Sequence, residues 1–419
     1  GTYDTVSNSA DLQVDLKTTL ARLLPLLGQT NMVASAGTAE LKAHVTQTGQ
    51  TQSVKGNLTL TNFTGNVSGN EFTEFAAAMA LDVDKTAEQV EIRKAAGTLT
   101  ENRKPGGSFD ISGSYSLANT PSQLTVKLSN LNENGLRPFL APMLAGKKLV
   151  SVAVDGTASA QRSANGDSSV KADLQVTNLV VNDPAHSLPA TPLEARMKLD
   201  ASLAKEIADV RQLQLTLTPT QRAKNQFSLQ GRVDMSKTNA MQGNLTLSAD
   251  SLDLTSYYDL FEGTNQTAAA KNSKAPSSPP AGASPPVQSV AGATNQLPFK
   301  NFTLEANVRE FYLREIAATN FQTTVKLDGS HVLLKPFQLT LNNSPLRATA
   351  DVDLSVPGYK YALTFNATNV PFAPLWNTFN PEEKGQVGGT LSANVDISGV
   401  GTTGESLQKS LKGTFAIGT

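Results

Sequence analysis

Gly399-Val-Gly401-Thr-Thr-Gly404 has the pattern G-x-G-x-x-G, whose glycines let a backbone turn approach a pyrophosphate at a helix N-terminus. It follows a strand-like run and precedes a helix-like one. That preceding run alternates with Asn394 and Asp396, whereas a buried parallel strand would be apolar throughout. No βαβ series surrounds it, so the pattern reads as a flexible turn into a helix. Ser406-Leu-Gln-Lys409 and Ser168-Ser-Val-Lys171 have the S-x-x-K spacing in which a lysine can activate a serine. The companion patterns S-D-N and K-T-G are missing, and two fixed positions in four recur by chance.

His44, His186 and His331 lie far apart and form no H-x-H or H-x-x-x-H pair. They read as single solvated histidines, with a three-histidine metal site as the alternative. Asp82/Asp84 and Asp351/Asp353 are two residues apart, so on strands each pair shares one face. That is the solvated face if Leu81/Val83 and Val352/Leu354 point inward. A calcium site or a glycosidase pair is the alternative. Glu382-Glu383-Lys384-Gly385 reads as an exposed turn. There is no P-loop, G-x-S-x-G or H-E-x-x-H. The residues offer no catalytic constellation, so the expectation is a protein that is not an enzyme and holds no cofactor and no metal.

The elements that would position any site follow from composition and pattern. The 419 residues include 35 Lys+Arg, 36 Asp+Glu and 3 His, for a formal charge of −1. With no net positive field to release counterions, a nucleic-acid partner is not expected. The absence of cysteine rules out thiol catalysis, disulfides and Cys-based metal centres. No segment reaches the ~18 apolar residues of a membrane-spanning helix. The most apolar stretch, residues 20–27, is broken by Arg22 and Pro25. A first residue Gly1 and an end in mid-pattern suggest a piece of a longer protein, with any anchor outside it.

The dominant signal is period-2 alternation, the mark of half-buried strands. It runs through Leu58-Thr-Leu60-Thr, Leu124-Thr-Val126-Lys-Leu128, Leu174-Gln-Val176-Thr, Leu213-Gln-Leu215-Thr-Leu217 and Val395-Asp-Ile397-Ser. The Thr between apolar positions is β-branched and suits a pleated surface facing water. Turn residues end such runs, as at Asn165-Gly166-Asp167 and Val356-Pro357-Gly358. Helical signals are short: residues 18–27, 133–144 and 405–411. The expected class is mainly β: an extended, curved antiparallel sheet with a few short helices.

A longer repeat is visible. Leu124-Thr-Val-Lys-Leu-Ser-Asn-Leu leads to Leu136-Arg-Pro-Phe-Leu. Leu245-Thr-Leu-Ser-Ala-Asp-Ser-Leu leads to Tyr257-Tyr-Asp-Leu-Phe, and Leu363-Thr-Phe-Asn-Ala-Thr-Asn-Val leads to Leu375-Trp-Asn-Thr-Phe. The copies lie about 120 residues apart, and each reads as a strand, a turn and a short apolar tail. Weaker copies start at Leu58, Leu174 and Phe302. Residues 264–298 differ. They are rich in Pro, Ala and Ser with almost no large apolar side chain, so burial cannot offset ordering entropy. This gives three parts: residues 1–263, a β-rich repeat region; 264–298, a disordered insert or linker; and 299–419, a second β-rich region.

Strands with one apolar face need a cover: a second sheet, helices or a non-protein partner. Helices are scarce. A membrane barrel needs aromatic girdles, and aromatics are only 6% of the chain. A β-sandwich and an open apolar groove remain. In the groove reading, Leu58, Leu60, Leu124, Val126, Leu128, Leu245, Leu247, Leu363 and Phe365 line a trough for acyl chains. In the sandwich reading the same residues are ordinary core, and the protein is a structural or adhesive surface module without ligand.

Leu391-Ser-Ala-Asn-Val-Asp-Ile-Ser-Gly-Val-Gly401 followed by Leu407-Gln-Lys-Ser-Leu411-Lys-Gly413 resembles the C-terminal signature of the AsmA family. There a strand ending in a G-x-G turn leads to a short helix with an L-x-x-x-L-x-G end. Leu252-Asp-Leu-Thr-Ser-Tyr-Tyr-Asp-Leu, residues 302–321 and Val370-Pro-Phe-Ala-Pro-Leu are similar to further family segments, so the likeness spans residues 245–413. Asn342-Asn343-Ser344-Pro345 stands where the family often has a Gly-containing turn, and reads as the same turn made by Asn and Pro. The resemblance implies a repeating β-groove protein of the bacterial envelope. It implies a periplasmic body anchored in the inner membrane through a segment absent here. It also implies phospholipid or other acyl lipid as ligand, the inner and outer membranes as partners, and a role in outer-membrane biogenesis.

Overall fold

The computed structural model describes residues 1–26, 31–118, 120–144, 147–182, 192–261, 296–401 and 408–418. The protein is mainly β, with 21 strands among these residues. It divides into two compact units: residues 1–204 with 260–267, and residues 205–259 with 268–419.

In the first unit, eleven strands form one meander in chain order: β1 (Thr2–Asp4), β2 (Ser9–Thr19), β3 (Met32–Thr48), β4 (Thr51–Val67), β5 (Asn70–Lys85), β6 (Gln89–Glu101), β7 (Lys104–Ser116), β8 (Ser122–Asn132), β9 (Lys148–Arg162), β10 (Ser168–Asn182) and β11 (Leu193–Ala204). Every neighbour is antiparallel. Two short helices, α1 (Leu20–Leu26) and α2 (Glu133–Leu140), follow β2 and β8. Those strands run the same way, so both helices sit at one end of the sheet. The buried aromatic cluster Phe63, Phe72 and Phe75 lies there, with Leu20 packed against it and Phe139 of α2 edge-on to Phe72 at 5.7 Å.

The second unit contains β12 (Ile207–Leu217), β13 (Gln226–Asp234), β14 (Met241–Asp253), β15 (Phe299–Leu313), β16 (Ile316–Asp328), β17 (His331–Leu341), β18 (Ser344–Asp353), β19 (Lys360–Pro371), β20 (Thr390–Val400) and β21 (Lys412–Gly418). Helix α3 (Thr255–Phe261) follows β14 and α4 (Phe372–Phe379) follows β19. All pairings are antiparallel except β14–β15, which is parallel. Parallel neighbours need a crossover of roughly a dozen residues or more, and the long segment between Asp253 and Phe299 supplies it. Most of residues 264–298 lies outside the described residues. In neither unit does a described ladder join the first strand to the last, so the strands of neither unit close into a barrel.

The three repeat copies are β8 with α2, β14 with α3 and β19 with α4. One part of that reading changes. The Ser-Asn or Thr-Asn step after the apolar run is not a turn but a β-bulge inside a continuing strand. Asn62, Asn130, Asn178, Asn320 and Asn369 all have φ between 46° and 55°. Each falls at a register shift in its ladder. Asn tolerates this left-handed conformation. The extra residue bends the strand and returns the next side chain, such as Phe63 or Leu131, to the apolar face. A second detail also changes: Asn342 and Asn343 (φ 46° and 68°) alone make the β17–β18 turn, while Pro345 is a paired residue of β18.

Candidate functional site

Directly paired residues in a sheet point to the same face. In the first unit, Leu16 pairs with Leu41, Leu41 with Leu58, and Leu58 with Met79. The row continues through Gly97 to Phe109 and Leu128, then through Gly156 to Leu174 and Met197. A second row runs from Val14 through Leu81, Ile111 and Val126 to Leu199. A third runs from Leu12 through Val54, Val83 and Leu124 to Ala201. Each row takes one residue from every strand β2 to β11, and every position is Leu, Val, Ile, Met, Phe, Ala or Gly.

Among the described residues this face has no protein cover within the unit. Of the three rows, only Ala95 and Gly97 are buried. Leu16 is 54% exposed and Leu58 37%. A sandwich core would bury such side chains almost completely. The second unit repeats the arrangement. Val210, Gly231, Leu245, Leu304, Val325 and Leu334 form one row, continued by Ala350, Leu363, Ile397 and Gly413. Beside it Leu247 shares a row with Leu229, Phe337 and Phe365, interrupted only by Thr323.

The nine residues singled out by alternation therefore fall on two apolar faces. Leu58, Leu60, Leu124, Val126 and Leu128 are on the first unit's face, with Leu58 and Leu128 in one row. Leu245, Leu247, Leu363 and Phe365 are on the second's, and Leu245 and Leu363 again share a row. Leu58 is exposed and the other eight are half-buried. Missed were Met79, Phe109, Met197 and the glycines between them, and Leu174 was read as a strand position but not as a lining residue. Counting Ala and Gly as apolar in the alternation would have found the strands of Met79, Phe109 and Met197.

The opposite faces are polar, and the acidic pairs lie there. Arg93 bridges Asp82 and Asp84, with Lys55 3.0 Å from Asp82, and these hydrogen bonds hold both carboxyls below their usual range. His44 meets Asp11 at 3.0 Å, and His331 meets Asp351 at 2.5 Å. His186 lies outside the described residues. Ser168 and Lys171 are three apart on β10, hence on opposite faces, and Lys171 pairs with Asp200 at 3.5 Å. A Cβ on Gly399 would come within 2.8 Å of the Tyr361 hydroxyl, so this glycine makes room for a neighbouring side chain. Thr402, Gly404 and Ser406 lie outside the described residues. A hollow of about 610 Å³ on the second unit's polar face is lined by Lys224, Ser248, Asp250, Asn307 and Arg309, among others. Asp250 there is tied to Lys224 and Arg309, with no nucleophile–base pair beside it among the described residues.

Where the helices close each sheet, polar groups are buried and paired. In the second unit Asn225 is fully buried, and Asp253 nearly so. Burial pushes the Asp253 carboxyl up, but Thr255 and Arg222 outweigh it and hold it below its ordinary value. Arg314 ties both helices down, reaching Asp259 of α3 at 2.7 Å and the Thr378 carbonyl of α4 at 2.5 Å.

In the first unit Glu101 pairs across the ladder with Phe75, at the helix end of the apolar face, and its side chain is 5% exposed. Arg137 of α2 donates to it, yet burial dominates and raises its pKa above 4.5. The folded state thus holds this proton more tightly than the unfolded chain. Its stabilising contribution is fully present below the unfolded pKa and is lost as pH rises through the folded value. Glu101→Gln, which removes the buried charge and keeps an acceptor for Arg137, is expected to match or exceed the wild type in denaturant unfolding at pH 7.5. Wild type should gain on it as the pH falls to 4.5. A Gln variant less stable at pH 7.5 would show that the Arg137 pair outweighs burial.

With two uncovered apolar faces in view, the sequence profile of the AsmA family matches residues 102–419. The chain belongs to the AsmA family. The match reaches back from the quoted C-terminal motifs to the start of β7, so it takes in strands of both units. AsmA proteins are bacterial envelope proteins associated in general with outer-membrane assembly and lipid transport. Neither a curated protein nor a solved structure matches the chain. Among the described residues no helix is long and apolar enough to cross a membrane.

Proposed function

We propose that this AsmA-family chain is a lipid-binding scaffold of the periplasm. It carries phospholipid between the inner and outer membranes in support of outer-membrane biogenesis, and performs no chemical step of its own. The observation that carries the reading is the set of three uninterrupted apolar rows across ten strands, without protein cover among the described residues. Acyl chains supply what a second sheet would otherwise provide. Each methylene taken from water onto such a face stabilises the complex by about 0.8 kcal/mol, so a phospholipid can be held without a catalytic or metal-binding group. Movement along the rows needs only that neighbouring positions be equally apolar.

The test is native mass spectrometry of the purified 419-residue chain expressed in a bacterium, followed by lipid extraction. Phospholipid retained in stoichiometric amount is the expected result. A lipid-free, thermally stable protein that takes up none from vesicles would overturn the proposal in favour of a ligand-free scaffold.

A further inference from the structure

The rows of the first unit end differently at their two ends. At the helix end the face closes on the Phe63, Phe72 and Phe75 cluster, and the buried carboxylate there, Glu101, is already paired with Arg137. At the other end, where the strands meet in hairpins, one more row lies on the same face beyond Leu12, Val54, Val83 and Leu124. Gln47, Gln52 and Lys85 are paired across β3, β4 and β5. Ser122, Arg162 and Ser168 are paired across β8, β9 and β10. Between them stands Tyr115, paired with Val90 and 58% exposed. This rim row contains two cations, amide and hydroxyl donors, and no carboxylate.

Lys85 and Arg162 are exposed, and neither forms an ion pair with any described residue. Glu88 and Asp167, in the adjoining hairpin turns, pair with neither. Asp167 instead accepts from Asn165 at 2.9 Å. A hollow of about 520 Å³ at this corner is lined chiefly by Ser114, Gln123, Gln161, Ser169 and Ser202, a paired row of the opposite, polar face, and is not part of this rim. At the corresponding end of the second unit, Met241 pairs with Phe299, and neither is charged. The two cations lie on the first unit's rim, beside its uncovered apolar face.

We infer that this rim selects lipids by headgroup: Arg162 with Ser122 and Ser168, and Lys85 with Gln52, receive the phosphate of a net-anionic phospholipid whose acyl chains lie on the rows behind them. The inference rests on the lipid-binding reading above and adds the substrate class to it. A guanidinium flanked by hydroxyls suits a phosphate's geometry and charge. A zwitterionic headgroup brings its own ammonium, which these unneutralised cations repel. Lys85 and Arg162 are four strands apart, about 19 Å at ~4.8 Å per strand. They are two separate seats along the rim. The exposed Tyr115 ring between them bridges apolar rows and water, as tyrosines do at bilayer interfaces.

The test uses the whole chain and phosphatidylcholine vesicles doped with equal mole fractions of fluorescent phosphatidylglycerol, phosphatidylethanolamine or diacylglycerol of matched chains. Uptake of phosphatidylglycerol is expected to exceed the other two by about tenfold at low salt, equivalent to roughly 1.4 kcal/mol, and the margin should shrink as salt screens the rim. The double substitution Lys85→Gln with Arg162→Gln should erase the preference and leave diacylglycerol uptake unchanged. Equal uptake of all three lipids by the wild type, or a preference that survives both substitutions, would overturn the headgroup assignment and leave the apolar face intact as a lipid site. Competition by inorganic phosphate as effective as that by phosphatidylglycerol would also overturn it, marking a free-anion site. No uptake of any lipid would overturn the reading beneath it.

Discussion

Replacing Leu58 and Leu128 together by Asp is expected to strip the chain of bound lipid in its first unit and to leave the fold standing. Both residues occupy one apolar row, at its β4 and β8 positions. Leu58 is 37% exposed, and Leu128 half-buried. In the empty protein an aspartate at either position looks into solvent and loses little. With an acyl chain on the row, each carboxylate must be desolvated against hydrocarbon, which costs several kcal/mol unpaired. Affinity should fall on the order of 100-fold, while the melting temperature moves by only a few degrees. The companion pair Leu247→Asp and Phe365→Asp does the same for the second unit. Collapse of the fold in both double variants would show a covered core, because a charge inside a closed sandwich unfolds it. Unchanged lipid retention in a folded protein would show that lipid sits elsewhere.

The largest effect on stability is expected at Asn225. It is fully buried and holds a left-handed φ of 57°. Its Nδ2 donates to the Thr218 carbonyl at 2.5 Å, and its Oδ1 accepts from the Asp253 amide at 2.5 Å. Its own backbone N–H and carbonyl are bonded to Ser251 and Leu217. Asn225→Ala leaves a buried carbonyl and a buried amide without partners, at about 1–3 kcal/mol each. It also places a Cβ residue without Asn's local hydrogen bonding in the left-handed region, at about 1 kcal/mol more. The sum, about 3–7 kcal/mol, should lower the second unit's calorimetric transition by roughly 10–20 °C. Asn225→Gly keeps the backbone conformation and should recover about 1 kcal/mol of that loss. An alanine variant within 1 kcal/mol of wild type would mean that Asn225 and its bonds do not hold the end of the sheet where α3 and α4 dock.

Much of this protein was legible without coordinates. Alternation at Leu58, Leu124, Leu213 and Val395 named real strands, because a half-buried strand writes its own period into local sequence. The three strand-and-helix copies survive as β8 with α2, β14 with α3 and β19 with α4, and residues 391–413 resemble the AsmA family that the profile match shows. Local sequence also carries helix positions, since α1 and α2 lie within the expected segments 18–27 and 133–144.

Other features depend on pairing between distant strands, which no local pattern encodes. The Thr-Asn steps looked like turns because Asn favours both turns and left-handed bulges. Only the partner strand's register shows that β4 and β19 continue past them. Rows such as Leu58–Met79–Gly97–Phe109–Leu128 become uninterrupted only once ten strands are in register, since their glycines are silent in one-dimensional alternation. Lys85 and Arg162 are unremarkable along the chain. They share a rim because four intervening pairings place β5 and β9 on the same side of the same sheet, and tertiary structure alone shows that neither meets a carboxylate there. A chain's own period determines which residues face alike on one strand; the register between strands decides what those faces add up to.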